Sequence, residues 1–103
     1  MKTFEEAVKA TPNISSCYQK GLQALENEHS KKIVASPAKI DGSLFIDKCL
    51  ERIDQGNRWD YAIGFNGKAY FIEIHSATTS EVRTVLRKLQ WLKDWLNTEK
   101  NEL

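Results

Sequence analysis

Apolar and polar positions alternate most regularly in RWDYAIGFNGKAYFIEIH, residues 58 to 75, where two aromatic-rich runs flank Asn66-Gly67. A period of two is the strand pattern, and Asn-Gly between two such runs is the strongest short-range signal for a two-residue hairpin turn of type I′. Elsewhere the period is helical. Phe4, Ala7 and Val8 predict a short first helix. After Pro12, the set Ile14, Cys17, Tyr18, Leu22 and Leu25 predicts a second helix, which Gly21 weakens by about 1 kcal/mol relative to alanine. Lys32 to Ala35 (KIVA) predict a short strand stopped by Ser36-Pro37. Asp41-Gly42-Ser43 predict a turn with Ser43 as N-cap. The helix that follows carries a broad apolar stripe of Leu44, Phe45, Ile46, Cys49, Leu50 and Ile53, and Gln55-Gly56-Asn57 closes it. Thr78-Thr79-Ser80-Glu81 reads as a capping box that opens the last helix. Its core face is Val82, Val85, Leu86, Leu89, Leu92 and Leu96, with Trp91 and Trp95 forming a second stripe alongside Lys88 and Thr84.

These elements predict an α/β (α+β) fold: a small, mostly antiparallel sheet with a central β-hairpin, packed by N-terminal helices and a long C-terminal helix. The length of 103 residues, 41% of them hydrophobic, fits one domain spanning 1–103 with a single core. The net charge of +1 gives no global attraction for nucleic acid or an anionic membrane, so any such binding must come from a local patch. Cys17 and Cys49 lie far apart without zinc-ligand spacing, which predicts two buried, reduced thiols. The N-terminal MKTFEEAVKA has two acids and no long apolar run, so it resembles neither a signal peptide nor a membrane span, and a cytoplasmic protein is expected.

Counting outward from a type I′ turn at Asn66-Gly67 sets the hairpin register. One face carries Phe65/Lys68, Ile63/Tyr70, Tyr61/Ile72 and Trp59/Ile74, which predicts the core face. The other carries Gly64/Ala69, Ala62/Phe71, Asp60/Glu73 and Arg58/His75, small near the turn and ionisable at the far end. Like charges opposed across strands are destabilising, so Asp60 against Glu73 requires an explanation. Arg58 and His75 pairing with the acids, protonation of one acid, or a divalent cation between the carboxylates would each provide it.

Asp60, then Glu73-Ile74-His75 on the paired strand, then a helix from Glu81 resembles the motif of the PD-(D/E)XK, or restriction-endonuclease-like, nuclease superfamily, as a divergent or degenerate member. The resemblance covers roughly residues 43 to 98. It implies that Asp60 and Glu73 bind Mg²⁺, with Glu51, or Asp47 one turn earlier, as the additional acid from an upstream helix. It further implies hydrolysis of phosphodiesters by a metal-dependent nuclease. Two features depart from the family pattern. His75 stands at the lysine position, a lysine that the following helix supplies in some members and that Lys88 or Arg87 would supply here, and no strand follows the last helix. The same fold without catalysis would be a protein- or nucleic-acid-binding module.

Each candidate has a structural alternative. The Asp60/Glu73 patch can be a salt-bridge cluster, His75 an ion-pair partner, and Glu51 and Asp47 the solvated side of a buried helix. Arg58, Arg83, Arg87 and Lys88 are candidate phosphate contacts or simply a solvated basic face. Trp91 and Trp95 either widen the core face of the last helix or form the interface of a homodimer or a protein partner. His29 carries no predicted role, and no membrane partner is expected.

Overall fold

The computed structural model describes residues 2–33, 39–74 and 79–103. The described residues form helix α1 (Phe4–Ala10), a 3₁₀ turn (Ser15–Cys17), α2 (Asn27–Ser30), β1 (Ile40–Phe45), α3 (Ile46–Leu50), β2 (Tyr61–Phe65), β3 (Lys68–Ile72) and α4 (Thr79–Leu96). This is the expected α+β fold, with one antiparallel sheet in the order β1-β2-β3. No helix among the described residues is long and apolar enough to cross a membrane.

Within β2 and β3 the hairpin follows the predicted register: Phe65 pairs with Lys68, Ile63 with Tyr70 and Tyr61 with Ile72. Trp59, expected beside Tyr61 and opposite Ile74, instead precedes β2 and packs in the cluster on the Ala62 face, because the strand alternation does not extend past Tyr61. Asn66 and Gly67 take φ of 49° and 78°, the two positive values that a type I′ turn demands. What local pattern did not supply is the strand on the other side. Residues 41–43 are neither a turn nor a helix cap; they belong to β1, which pairs with β2 from Ile40↔Phe65 to Phe45↔Tyr61 across a register shift near Gly42. The Tyr18 ring covers Gly42 so closely that a Cβ there would lie 2.4 Å from ring atoms, and the Tyr18 hydroxyl donates to the Asp41 carbonyl. Gly42 is thus a strand residue that lets an aromatic ring approach the backbone. Ser43 is fully buried and exchanges both backbone hydrogen bonds with Gln19, while its Oγ accepts from the Ala24 amide. The helix expected from Leu44 is shortened to Ile46–Leu50, because Leu44 and Phe45 are claimed by the sheet.

A second correction concerns residues 14–25. Their helical periodicity yields only the 3₁₀ turn and a series of turns around Gly21, whose φ is 52°. Asn13 at φ 75° redirects the chain, and Cys17 is bonded to Cys49 in a disulfide with Cα atoms 6.2 Å apart. The cysteines are therefore not two reduced thiols. The crosslink ties the N-terminal segment to α3, and disulfides are characteristic of oxidising compartments, which weighs against the cytoplasmic expectation. Of the predicted strand KIVA, Lys32 lies in a turn and Ile33 packs on the sheet, while Val34 and Ala35, with Ser36-Pro37, lie outside the described residues.

Because β2 is the middle strand, both of its faces need cover, and the sheet carries apolar clusters on both sides. Tyr61 and Ile63 meet Leu25 with Leu22, Ile33, Ile40 and Ile72. Ala62, on the opposite face, packs with Phe4, Val8, Leu44, Leu50, Trp59 and Leu92. Gly64 is buried under Phe4, where an added Cβ would sit 2.5 Å from the ring. The last helix and α1 therefore both cover the face that ends in the ionisable residues, and Leu22, Leu25 and Ile33 cover the face predicted as the core. On α4, Leu92 is buried and Leu89, Trp91, Trp95 and Leu96 pack against the cluster, whereas Val82 and Leu86 are 52% and 59% exposed. The helix is rolled toward its Lys88/Trp95 line, which leaves the first part of the leucine stripe on the flank.

A lysine held between two strand carboxylates

Asp60 immediately precedes β2 and Glu73 immediately follows β3, so the register that pairs Tyr61 with Ile72 sets the two acids opposite each other where the hairpin ladder ends. Each carboxylate uses one oxygen to continue that ladder. Glu73 Oε1 accepts from the Asp60 amide at 3.1 Å, and Asp60 Oδ2 accepts from the Ile74 amide at 3.2 Å. The reciprocal bonds hold the carboxylates in fixed orientations and turn the other oxygens, Asp60 Oδ1 and Glu73 Oε2, toward α4. There they meet the Lys88 ammonium, at 2.8 Å and 2.6 Å. The cluster is largely desolvated, with side-chain exposures of 16% for Asp60, 5% for Glu73 and 13% for Lys88.

The carboxyl of Glu73 is raised above the usual range, first because burial removes water from its charged form; the negative charge of Asp60 adds to this and the hydrogen bond from Lys88 partly offsets it. For Lys88, burial acts downward, yet the hydrogen bonds to Asp60 and Glu73 outweigh it and the ammonium is raised above the ordinary lysine value.

The other predicted site residues are placed as follows. Arg58 does not complete the carboxylate pair. Its Nε donates to the Asp47 carbonyl and to Asp47 Oδ1 at 2.9 Å, and its terminal nitrogen donates to the Asp54 carbonyl, so it clamps the start of α3 to the loop after it. Asp47 is therefore the partner of Arg58 here. Glu51 is exposed at the C-cap of α3 and lines a different cleft, bordered by Cys17, Gln23, Phe45 and Lys48. Arg83 and Arg87 are exposed on α4. His75 and Thr78 of the predicted capping box lie outside the described residues. Trp91 and Trp95 stack on each other with centroids 5.5 Å apart and pack against the core, and Trp91 Nε1 donates to Asp54 Oδ2 at 3.1 Å. The indoles widen the core face of α4. His29, to which the sequence assigned no role, lies 2.7 Å through Nδ1 from the hydroxyl of the buried Tyr61. Lys88 was legible to the extent that it shares a helical line with Thr84, Trp91 and Trp95; that this line faces the sheet is a tertiary fact.

As a cation site, the pair is chemically suitable. Asp60 Oδ1 and Glu73 Oε2 converge on one point that already holds a positive group, and two carboxylate oxygens with water and phosphate completing the shell are the usual donors for Mg²⁺. Among the described residues no group of three or more His, Cys, Asp or Glu side chains is placed to hold a metal ion.

Comparison with protein-family models, with curated proteins and with solved structures finds no match to this chain.

Proposed function

We propose that the protein is a divalent-metal-dependent nuclease of the PD-(D/E)XK, restriction-endonuclease-like kind, in which Asp60 and Glu73 hold the metal and Lys88 serves in place of the lysine that His75 replaces in the motif. The observation that carries the reading is the Lys88 ammonium shared between Asp60 Oδ1 and Glu73 Oε2 at the end of a hairpin whose register opposes the two acids. Supporting it, buried ion clusters contribute little stability beyond apolar side chains of the same volume, and perturbed ionisable groups concentrate at functional sites.

In this reading, bound Mg²⁺ supplies Lewis acidity toward a phosphodiester and acidifies a water molecule. The protein's part is positional. The amides of Asp60 and Ile74 fix the orientation of the carboxylates, so the donor oxygens need no reorganisation on binding. Lys88, kept protonated by its two acidic neighbours, offers a positive charge to a phosphate oxygen or orients the attacking water. Arg87, exposed one position earlier on α4, would supply a further phosphate contact in this reading.

The test is cleavage of labelled single- and double-stranded DNA and RNA with Mg²⁺ or Mn²⁺, together with metal-dependent melting. Wild-type protein should cleave at least one substrate class only with metal, and Asp60→Asn and Glu73→Gln should each abolish both cleavage and the metal-dependent rise in Tm. Cleavage that survives Asp60→Asn, or no metal response in any variant, would overturn the proposal.

A further inference from the structure

Resting on the metal-site reading, we infer that Lys88 is the resident counter-ion of this site, an internal cation that a divalent ion must displace before it can bind. Asp60 Oδ1 and Glu73 Oε2 both accept from Nζ at hydrogen-bond distance, so Nζ stands at the point on which the two oxygens converge. A divalent ion held by the same two oxygens would need the volume that the ammonium now fills. The two cations cannot share that volume. Even side by side they would repel strongly, because the surroundings are largely desolvated and screen charge poorly.

The displacement needs no movement of the fold. Lys88 reaches the site on a flexible four-carbon stem from the line of α4 that faces the sheet, beside the exposed Arg87, and rotation about that stem withdraws the ammonium while the helix stays docked through Leu92, Trp91 and Trp95. Asp60 and Glu73 keep their orientation during the exchange, because each is held by a backbone amide rather than by the lysine. The site thus has two forms, a closed one with the Lys88 ammonium between the carboxylates and an open one in which that ammonium is withdrawn. With the carboxylates holding a metal, the Lys88 ammonium would be released from them, which would couple loading of the site to the position of its basic residue.

Two measurements on the full chain test this, with Ca²⁺ as a non-hydrolytic probe for calorimetry and Mg²⁺ for labelling. Lys88→Met, which keeps the stem and removes the competitor, should bind Ca²⁺ about tenfold or more tightly than wild type while losing cleavage. In the unaltered protein, acylation of Lys88 followed by mass spectrometry should be slow without metal and rise severalfold with Mg²⁺, as the ammonium leaves its two acceptors. If wild type binds metal but Lys88→Met binds it equally or more weakly, or if Lys88 labelling does not respond to Mg²⁺, the counter-ion role fails and the nuclease reading stands. If neither protein binds a divalent ion, both fail. The labelling experiment needs no variant, so misfolding of Lys88→Met cannot leave the question open.

Discussion

Replacing Lys88 by methionine tests the energetics of the cluster as well as its chemistry. Methionine retains most of the apolar stem, so the change removes the ammonium and little packing. It leaves Asp60 and Glu73 facing each other with side-chain exposures of 16% and 5%. Removing one partner of a buried ion pair costs about 3–5 kcal/mol; because Asp60 keeps some access to water, the lower end applies, about 3 kcal/mol at neutral pH. For a domain of this size that corresponds to a fall in Tm of about 15 °C. The sign with pH follows from Glu73. Its folded pKa lies above the unfolded value, so its contribution to stability is full below the unfolded carboxylate pKa and is lost as pH rises through the folded one. Without Lys88 that rise is larger, and the penalty of the variant should shrink as the solution is acidified from neutrality and Glu73 takes up a proton. The contribution of Lys88 itself, with a folded pKa above its unfolded one, persists through neutrality and is lost only in strongly alkaline solution. Circular-dichroism melts of wild type, Lys88→Met, Glu73→Gln and the double variant across this range give the coupling directly. The double variant should recover most of the neutral-pH loss. A Lys88→Met protein that melts within about 3 °C of wild type at neutral pH, or a gap that does not change with pH, would refute the reasoning.

Gly64→Ala should destabilise the protein by about 2 kcal/mol, because the new Cβ would lie 2.5 Å from the Phe4 ring inside a buried strand pair; urea unfolding with an unchanged slope checks it, and an unaffected midpoint would show that Phe4 is free to move aside. Cys17→Ser with Cys49→Ser, or reduction of the wild type, should lower stability by about 3.5 kcal/mol, the loop entropy of a crosslink spanning 32 positions; equal denaturation midpoints with and without reductant would contradict the disulfide.

The features legible in the sequence are those set by neighbours along the chain. Asn66-Gly67 demands a turn with two positive φ values, the turn sets the pairing of Phe65 with Lys68, and a period of two then carries the register outward until Asp60 faces Glu73. The length and amphipathic character of α4 are local in the same sense. What only the tertiary structure decided depends on partners distant in the chain. Residues 41–45 are a strand because β2 offers an edge and Tyr18 covers Gly42, although their composition suits a turn and a helix start equally well. The segment after Pro12 is irregular because Ser43 engages Gln19 and Ala24 and Cys17 is bonded to Cys49, long-range constraints that override a helical period. The lysine of the site belongs to the same class. Helical periodicity places Lys88 on a line with the tryptophans, but the roll of α4 on the sheet, set by Leu92 and Trp95 packing beside Ala62 and Phe71, is what brings its ammonium between the two carboxylates.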